Sequence, residues 1–321
     1  MNNGYFVISL DFELMWGNIE SWTIGGYGST HVVHVREVIE RLLTLFERYQ
    51  VRATFATVGL IMQQSHHDIS GLLPDKIPSY KNPQLSPYEN HSIECRQHPK
   101  MYFAPDVIER LKKSPAIEIG THTYGHYYCW EEGQTKEQFE ADIQKAVDVA
   151  FKNGIQLKSI VFPRNQVSED YLEICKKHGI VCYRGNAQKY FDHTSSLYIN
   201  MKNRICRLLD AYLNIGGNTS YTFKDKNTII QNIPASRFLR PYTTKLAFID
   251  GLRLKRIINE LEYAAIHREI YHLWWHPHNF GQNIDKNIAF LEKILQKYHS
   301  LHERYQMQSM SMSDIYREYT K

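Results

Sequence analysis

Disulfide bonding is what this sequence is least equipped for. Its five cysteines, Cys95, Cys129, Cys175, Cys182 and Cys206, are odd in number and include no Cys-x-x-Cys pair. That pattern argues against a disulfide framework and against a cysteine-based zinc site, and it suits a reducing compartment. Also missing is any run of about 18 apolar residues, the least that reads as a membrane span. No N-terminal apolar segment follows a Lys or Arg, because Asp11 interrupts the first apolar run. The expectation is therefore a cytoplasmic protein with neither signal peptide nor integral membrane segment. Strong net charge is lacking too: +4 over 321 residues is mild and gives no basic footprint for nucleic acid. There is no internal repeat and no low-complexity segment.

What the chain does have is bulk and alternation. Hydrophobic residues make up 43% of it, enough for a large core, and 321 residues fit a single α/β barrel domain over 1–321. The 22 Tyr and 5 Trp could platform sugar rings, although core and rim packing accounts for most of them. Apolar strand-like runs alternate with helical periodicity. Tyr5 to Leu10 is a buried strand, 32–49 carries apolar residues at helical spacing, and Ala53 to Val58 is a second strand. Pro105 opens a helix, Ala116 to Thr121 is a third strand, and Thr135 with Gln138 forms a capping box. Further strands follow at Ser159–Phe162, Ile180–Tyr183 and Ile270–Trp275. A helix is expected around 196–213, a strand near Ile229–Ile230, helices at 252–267 and 285–298, and a short terminal helix at 313–319. Repeated strand–helix units predict a parallel sheet. Two stretches, about 60–101 and 187–250, read as long insertions, and loops of that length are usually functional.

Three places carry chemistry. The first is Glu118-Ile-Gly-Thr-His122-Thr-Tyr-Gly-His126, with two imidazoles four positions apart after a strand. That spacing lets both rings meet one ion, and Gly120 and Gly125 permit a sharp loop. The second is Asp11-Phe12-Glu13 at the exit of the first strand. Two carboxylates there are costly without a cation or donors. One completes a three-ligand site, and the other is free to act as a base. The third is Trp275-His276-Pro277-His278, where the proline stops the strand and holds a histidine at the rim. Each has an ordinary reading alone, but all fall at strand C-terminal ends, where a barrel builds its site.

In that arrangement the chain resembles the polysaccharide deacetylases, carbohydrate esterase family four. Leu10-Asp11-Phe12-Glu13 stands for the family's Asp-Asp motif, Ala53-Thr54-Phe55 for its second strand, and His122-Thr-Tyr-Gly-His126 for its metal-binding His-Ser/Thr-x-x-His. Phe162-Pro163-Arg164 occupies the place of its Arg, and Leu273-Trp274-Trp275-His276 that of its Leu-x-His. The likeness covers roughly residues 5–280. It implies a distorted (β/α)7 barrel, a carbohydrate substrate and a divalent metal, most plausibly Zn²⁺, held by Glu13, His122 and His126. By the same resemblance Asp11 is the base, His276 the acid with His278 as runner-up, and Arg164 the partner that keeps Asp11 ionised. The chain departs from the family in its carboxylate-x-carboxylate spacing and in Pro-Arg-Asn-Gln. Phe238-Leu-Arg240-Pro-Tyr242 looks more like the family's Arg-Pro-Pro-Tyr, so Arg240 is kept as a substrate contact.

Tyr124, Trp275 and His278 complete the expected substrate-binding set, and a backbone N–H near Tyr124–Tyr127 is expected to meet the oxyanion. The implied activity is N-deacylation of an amino sugar. A nucleotide- or lipid-linked precursor of surface polysaccharide is expected, with Arg204, Arg207, Arg237 and Arg240 as possible diphosphate contacts. Two alternatives stand beside it: hydrolysis of another small amide, such as a formamide or cyclic ureide, and a non-catalytic sugar-binding relative. The oligomeric state is not legible.

Overall fold

A computed structural model describes residues 3–64, 69–88, 92–187, 206, 208–223 and 228–320. The first strand, β1 (Tyr5–Phe12), sits at the centre of a parallel sheet and is buried along its whole length. On one side it pairs with β2 (Ala53–Thr57), which leads through β3 (Ile117–Thr121) and β4 (Ser159–Ile160) to β5 (Cys182–Tyr183). Gln231–Asn232, β6, pairs with β5, and Arg237–Phe238, β7, pairs with β8 (Ile270–Trp275), which returns to β1.

β6 and β7 are two halves of one wall strand. The N–H groups of Gln231, Ile233 and Ala235 bond to Val181, Tyr183 and Gly185, and those of Ser236 and Leu239 bond to His272 and Trp274. The segment thus changes partner in mid-course and closes a seven-stranded parallel barrel, as expected. It falls inside the stretch read from sequence as an insertion. A two-residue pairing on each side is too short to leave a strong strand pattern. The expected helix around 196–213 lies mostly outside the described residues.

Helices alternate with the strands: α1 (Val35–Arg48), α2 (Ser92–Gln97), α3 (Pro105–Lys112), α4 (Lys136–Lys152) and α5 (Glu169–Lys177). After these come α6 (Asp250–His267), α7 (Ile284–Tyr305) and α8 (Met312–Thr320). Local signals explain several starts. Pro105 is at the first turn of α3, and Thr135 and Gln138 form the expected reciprocal box at α4. No helix among the described residues is long and apolar enough to cross a membrane.

Parity along the strands sorts the side chains. Phe6, Ile8, Leu10 and Phe12 face the helices and join the main apolar core. Val7 faces the barrel interior, where it meets Ala56, Val161, Cys182, Ile233 and Ile270. Met312 and Ile315 of α8 plug the bottom of that interior. A short strand missed from sequence, β9 (Gln308–Met310), pairs with the start of β1 and brings α8 into place. The lower half of the barrel is therefore apolar and filled. Polar residues of the same inward parity, Ser9 and Asp11 on β1 and His272 and Trp274 on β8, line the upper half.

Candidate metal centre and active site

Glu13 leaves β1 with an extended-to-bridge backbone (φ −127°, ψ −14°). The next residue, Leu14, adopts a left-handed φ of 48°, which turns the chain away and leaves the Glu13 side chain over the barrel mouth. Gly17 makes room for it: a Cβ there would lie 2.1 Å from Glu13 Oε1. From the other side, His122 and His126 approach on the loop after β3. Glu13 Oε2 lies 3.3 Å from His122 Nε2 and 3.1 Å from His126 Nε2.

One atom from each of the three residues falls within 4.8 Å of the others, all in buried side chains. His122 Nδ1–H donates to the Val161 carbonyl at 2.8 Å, which orients the ring with Nε2 toward Glu13. His126 Nδ1 has the Tyr128 hydroxyl at 3.2 Å in the same outer position. Two imidazole nitrogens, each ring held from behind, and a carboxylate oxygen are a donor set that fits a divalent ion with an open position. Burial pushes the Glu13 carboxyl up. His276 and the hydrogen bonds from His122 and His126 outweigh it and hold Glu13 well below the ordinary carboxylate range.

Asp11 lies below the triad, 3% exposed. Its partner is Arg184, not Arg164: Nη1 and Nη2 of Arg184 donate to the two Asp11 oxygens, each at 2.7 Å. Burial raises the Asp11 pKa, but Arg184, with His122 and His276, brings it below its usual value. The expected role of Arg164 is thus corrected. Its side chain leans outward, pairs with Glu20 and with Glu131 at 3.5 Å, and stacks over the Tyr128 ring at 4.2 Å. The cause is local. Arg164 and Asn165 both take left-handed φ, 52° and 53°, which swings the side chain to the rim.

His276 completes the group. Its Nε2 faces Asp11 Oδ2 at 3.7 Å and Glu13 Oε1 at 3.6 Å. Its Nδ1–H donates to Asn279 Oδ1 at 3.1 Å, so the free nitrogen points into the site. The side chain is 22% exposed, whereas that of His278 is 3% exposed. Burial, with the charge of His276 next, presses the His278 pKa down to about 3, so that ring is neutral near pH 7.

Two expected substrate contacts, Tyr124 and Trp275, lie elsewhere. The Tyr124 ring is fully buried and its hydroxyl donates to the Leu72 carbonyl at 2.6 Å. Trp275 is fully buried against Phe280, ring centroids 5.6 Å apart. Arg240 is half-buried, and its carbonyl accepts from Arg253. Arg237 is not available to a diphosphate: Glu260 at 2.6 Å and Asp210 at 3.2 Å neutralise it in the wall. Arg204 and Arg207 lie outside the described residues. Of the N–H groups expected near an oxyanion, those of Tyr124 and Gly125 go to Asp142, and that of Tyr127 goes to Thr123 Oγ1.

Residues 26–183 match the family model for polysaccharide deacetylases. Over that span the chain is similar to that family, as its motifs led one to expect. The matched span contains His122 and His126, begins after Glu13 and stops one residue short of Arg184. On that match the chain is a hydrolase of carbon–nitrogen bonds.

Solved structures agree on the fold. A protein assigned as a polysaccharide deacetylase from Mycobacterium smegmatis superposes with a TM-score of 0.61 at 11% identity, covering 99% of this chain and 91% of that one. A GH57 branching enzyme from Thermococcus kodakaraensis gives 0.57 at 11% identity, over 98% of this chain and 71% of that one. A 4-alpha-glucanotransferase from Thermococcus litoralis gives 0.54 at 14%, over 98% and 40%. At such identities the likeness is one of architecture alone. No curated protein matches the sequence.

Two side chains at the site escaped the sequence reading. Arg184 follows β5 in Tyr183-Arg184-Gly185-Asn186, a strand end like the others that carry the site, and that position was its available signal. Trp274 shares the inward parity of His272 and His276. It lies under the Arg184 guanidinium at 4.0 Å and beside Phe238 at 4.7 Å.

Proposed function

We propose that this chain removes the acyl group of an N-acyl amino sugar by metal-assisted hydrolysis. The proposed substrate is a nucleotide- or lipid-linked precursor of surface polysaccharide. One observation carries the reading: Glu13, His122 and His126 converge on one point while a second carboxylate, Asp11, and a partly exposed imidazole, His276, flank it. When bound there, a divalent ion, Zn²⁺ on this donor set, supplies Lewis acidity to a water and to the acyl oxygen.

The chain's own groups do the rest. Asp11, kept ionised by Arg184, accepts the proton of the attacking water. The His126 N–H, which has no protein acceptor among the described residues, is placed to donate to the developing oxyanion. His276 Nε2 delivers a proton to the departing sugar amine, and Asn279 keeps that nitrogen turned inward. A precursor is favoured over the middle of a polymer because the site is recessed: Asp11, Glu13, His122 and His126 are each no more than 4% exposed. Such a mouth suits a sugar presented end-on. All five cysteines are free, which supports a reducing compartment.

The test is release of acetate from N-acetylated nucleotide sugars by the Zn²⁺-loaded protein, with Asp11→Asn alongside. The variant is expected to bind Zn²⁺ like wild type and to lose at least about 100-fold in turnover. Near-wild-type turnover in that variant would remove Asp11 as the base. Release from polymer but not from precursors would overturn the substrate, and formate release from small formamides alone would move the enzyme to another amide.

A further inference from the structure

We infer that Asp142 is a positioning residue for the metal centre, a clamp on the loop that sets the separation of His122 and His126. The inference rests on the metal reading above and adds a residue to it. Asp142 lies on α4, about two turns from its start, and its side chain reaches under the loop after β3. Its two oxygens accept the consecutive N–H groups of Tyr124 and Gly125, at 2.6 Å and 2.9 Å. Those are two of the three residues between the imidazoles.

The loop needs such a clamp. Thr123 and His126 both sit in the left-handed region, φ 63° and 57°, a conformation non-glycine residues adopt at a cost. Surroundings must over-determine it. Gly59 and Leu60 donate to the carbonyls of Thr123 and Tyr124, each at 3.0 Å, and Tyr127 N–H donates to Thr123 Oγ1 at 2.7 Å. These bonds hold the carbonyls and the far end of the loop. Among the described residues only Asp142 holds the N–H groups of Tyr124 and Gly125 in its middle. Without it, both N–H groups would be left buried without an acceptor, a penalty the loop could escape by rearranging.

The residue type is informative. Asp142 is 1% exposed, with no Lys or Arg bonded to its carboxyl among the described residues. Burial drives its pKa up to about 7 against the pull of the two N–H groups. An ionised carboxylate there is costly to the fold, and a neutral amide of the same shape would be cheaper to bury. An amide, however, could accept through one atom only, and its NH₂ would face a second N–H. The carboxylate is the group that satisfies both donors. Its benefit lies in the geometry of the loop and not in global stability.

That split gives the experiment. Metal-free protein is titrated with Zn²⁺ against a chromophoric chelator, and the Tm of the metal-free form is measured, for wild type, Asp142→Asn and the surface control Asp148→Asn. Asp142→Asn should keep a metal-free Tm within a few degrees of wild type and bind Zn²⁺ about 10–100-fold more weakly, the size usual for loss of an outer partner. Asp148→Asn should match wild type in both. Equal Zn²⁺ affinity in Asp142→Asn overturns the inference, as does a large loss of Tm with affinity unchanged, which would mark a purely structural carboxylate. Should Asp142→Asn fail to fold, Asp142→Glu carries the test. It keeps the charge and shifts the oxygens by one methylene, so unchanged affinity there is equally fatal. Wild type that takes up no Zn²⁺ would sink the metal reading itself, an outcome distinct from failure of the clamp.

Discussion

Arg184 grips Asp11 through two parallel N–H···O bonds of 2.7 Å in a pocket closed to solvent, with side-chain exposures of 0% and 4%. Such a fork is geometry that only a guanidinium supplies. Its value is specific: it keeps a buried carboxylate charged where a base is wanted. The sign of the linkage follows. Burial alone would raise the Asp11 pKa, and the net shift is downward, so the pair's stability is present near neutrality and is lost as the pH falls through the lowered value.

Arg184→Ala should therefore cost about 3–5 kcal/mol of stability, because it strands a buried charge. It should also abolish turnover by leaving Asp11 protonated. Arg184→Lys keeps the charge but loses the fork. The expected outcome is a smaller loss of Tm with kcat down by about tenfold or more. Urea denaturation and steady-state kinetics on the two variants check both parts. An Arg184→Ala protein with wild-type kcat would show that Asp11 needs no such partner.

The same pair shows what the sequence could and could not reveal. Asp11, Glu13, His122, His126 and His276 were legible because each sits at the end of an apolar run, and strand ends in a parallel barrel share one mouth. The seven-strand architecture was legible for the same reason. Arg164 was misplaced because strand position is readable and backbone handedness is not: two left-handed residues turn Arg164 away, and β5, one strand further, supplies the arginine instead. The closing strand 231–239 was legible only at its start, where a strand was expected near Ile229–Ile230; it changes partner after a few residues, so neither half keeps a period of two for long. Asp142 carried no signal in the sequence, being one polar residue of the helix that Thr135 and Gln138 open. Nothing local distinguishes a carboxylate that reaches a loop from one that meets water.

Trp274 and Trp275 differ by one position and face opposite ways. Since β8 alternates, His272, Trp274 and His276 look into the barrel, and Tyr271, Leu273 and Trp275 look toward the helices. Trp275→Ala should cost about 3–5 kcal/mol through the cavity it leaves, with kcat/KM of the folded fraction little changed. Trp274→Phe should cost less than about 1.5 kcal/mol and lower kcat/KM instead, because it alters the wall beside Arg184 and His276. Chemical denaturation and kinetics on both variants decide it. The reverse pattern, with Trp275→Ala stable and catalytically impaired, would mean the parity is wrong.

His272 offers a test of the buried polar column beneath the base. Its Nδ1–H donates to the Ile233 carbonyl at 3.2 Å, and its Nε2 accepts from Ser9 Oγ at 2.8 Å, while Ser9 Oγ in turn accepts from Arg184 at 3.1 Å. A neutral ring satisfies that chain, whereas an imidazolium would place a second cation beside Arg184. Burial first, and Arg184 next, lower its pKa from 6.5 to about 3. Between those values the unfolded chain binds a proton that the folded chain refuses. Stability from this group is thus complete above the unfolded value and falls as the pH drops, by about 1.4 kcal/mol per pH unit. From pH 7 to pH 5 the loss amounts to roughly 2 kcal/mol. His272→Gln should lack it. Urea midpoints of the metal-free protein at the two pH values are the measurement, since bound metal would add its own pH dependence. The stability difference between wild type and His272→Gln should shrink by that amount at the lower pH. A difference that stays constant would mean that the folded protein accepts the proton, and that the column from His272 through Ser9 to Arg184 and Asp11 tolerates a second charge.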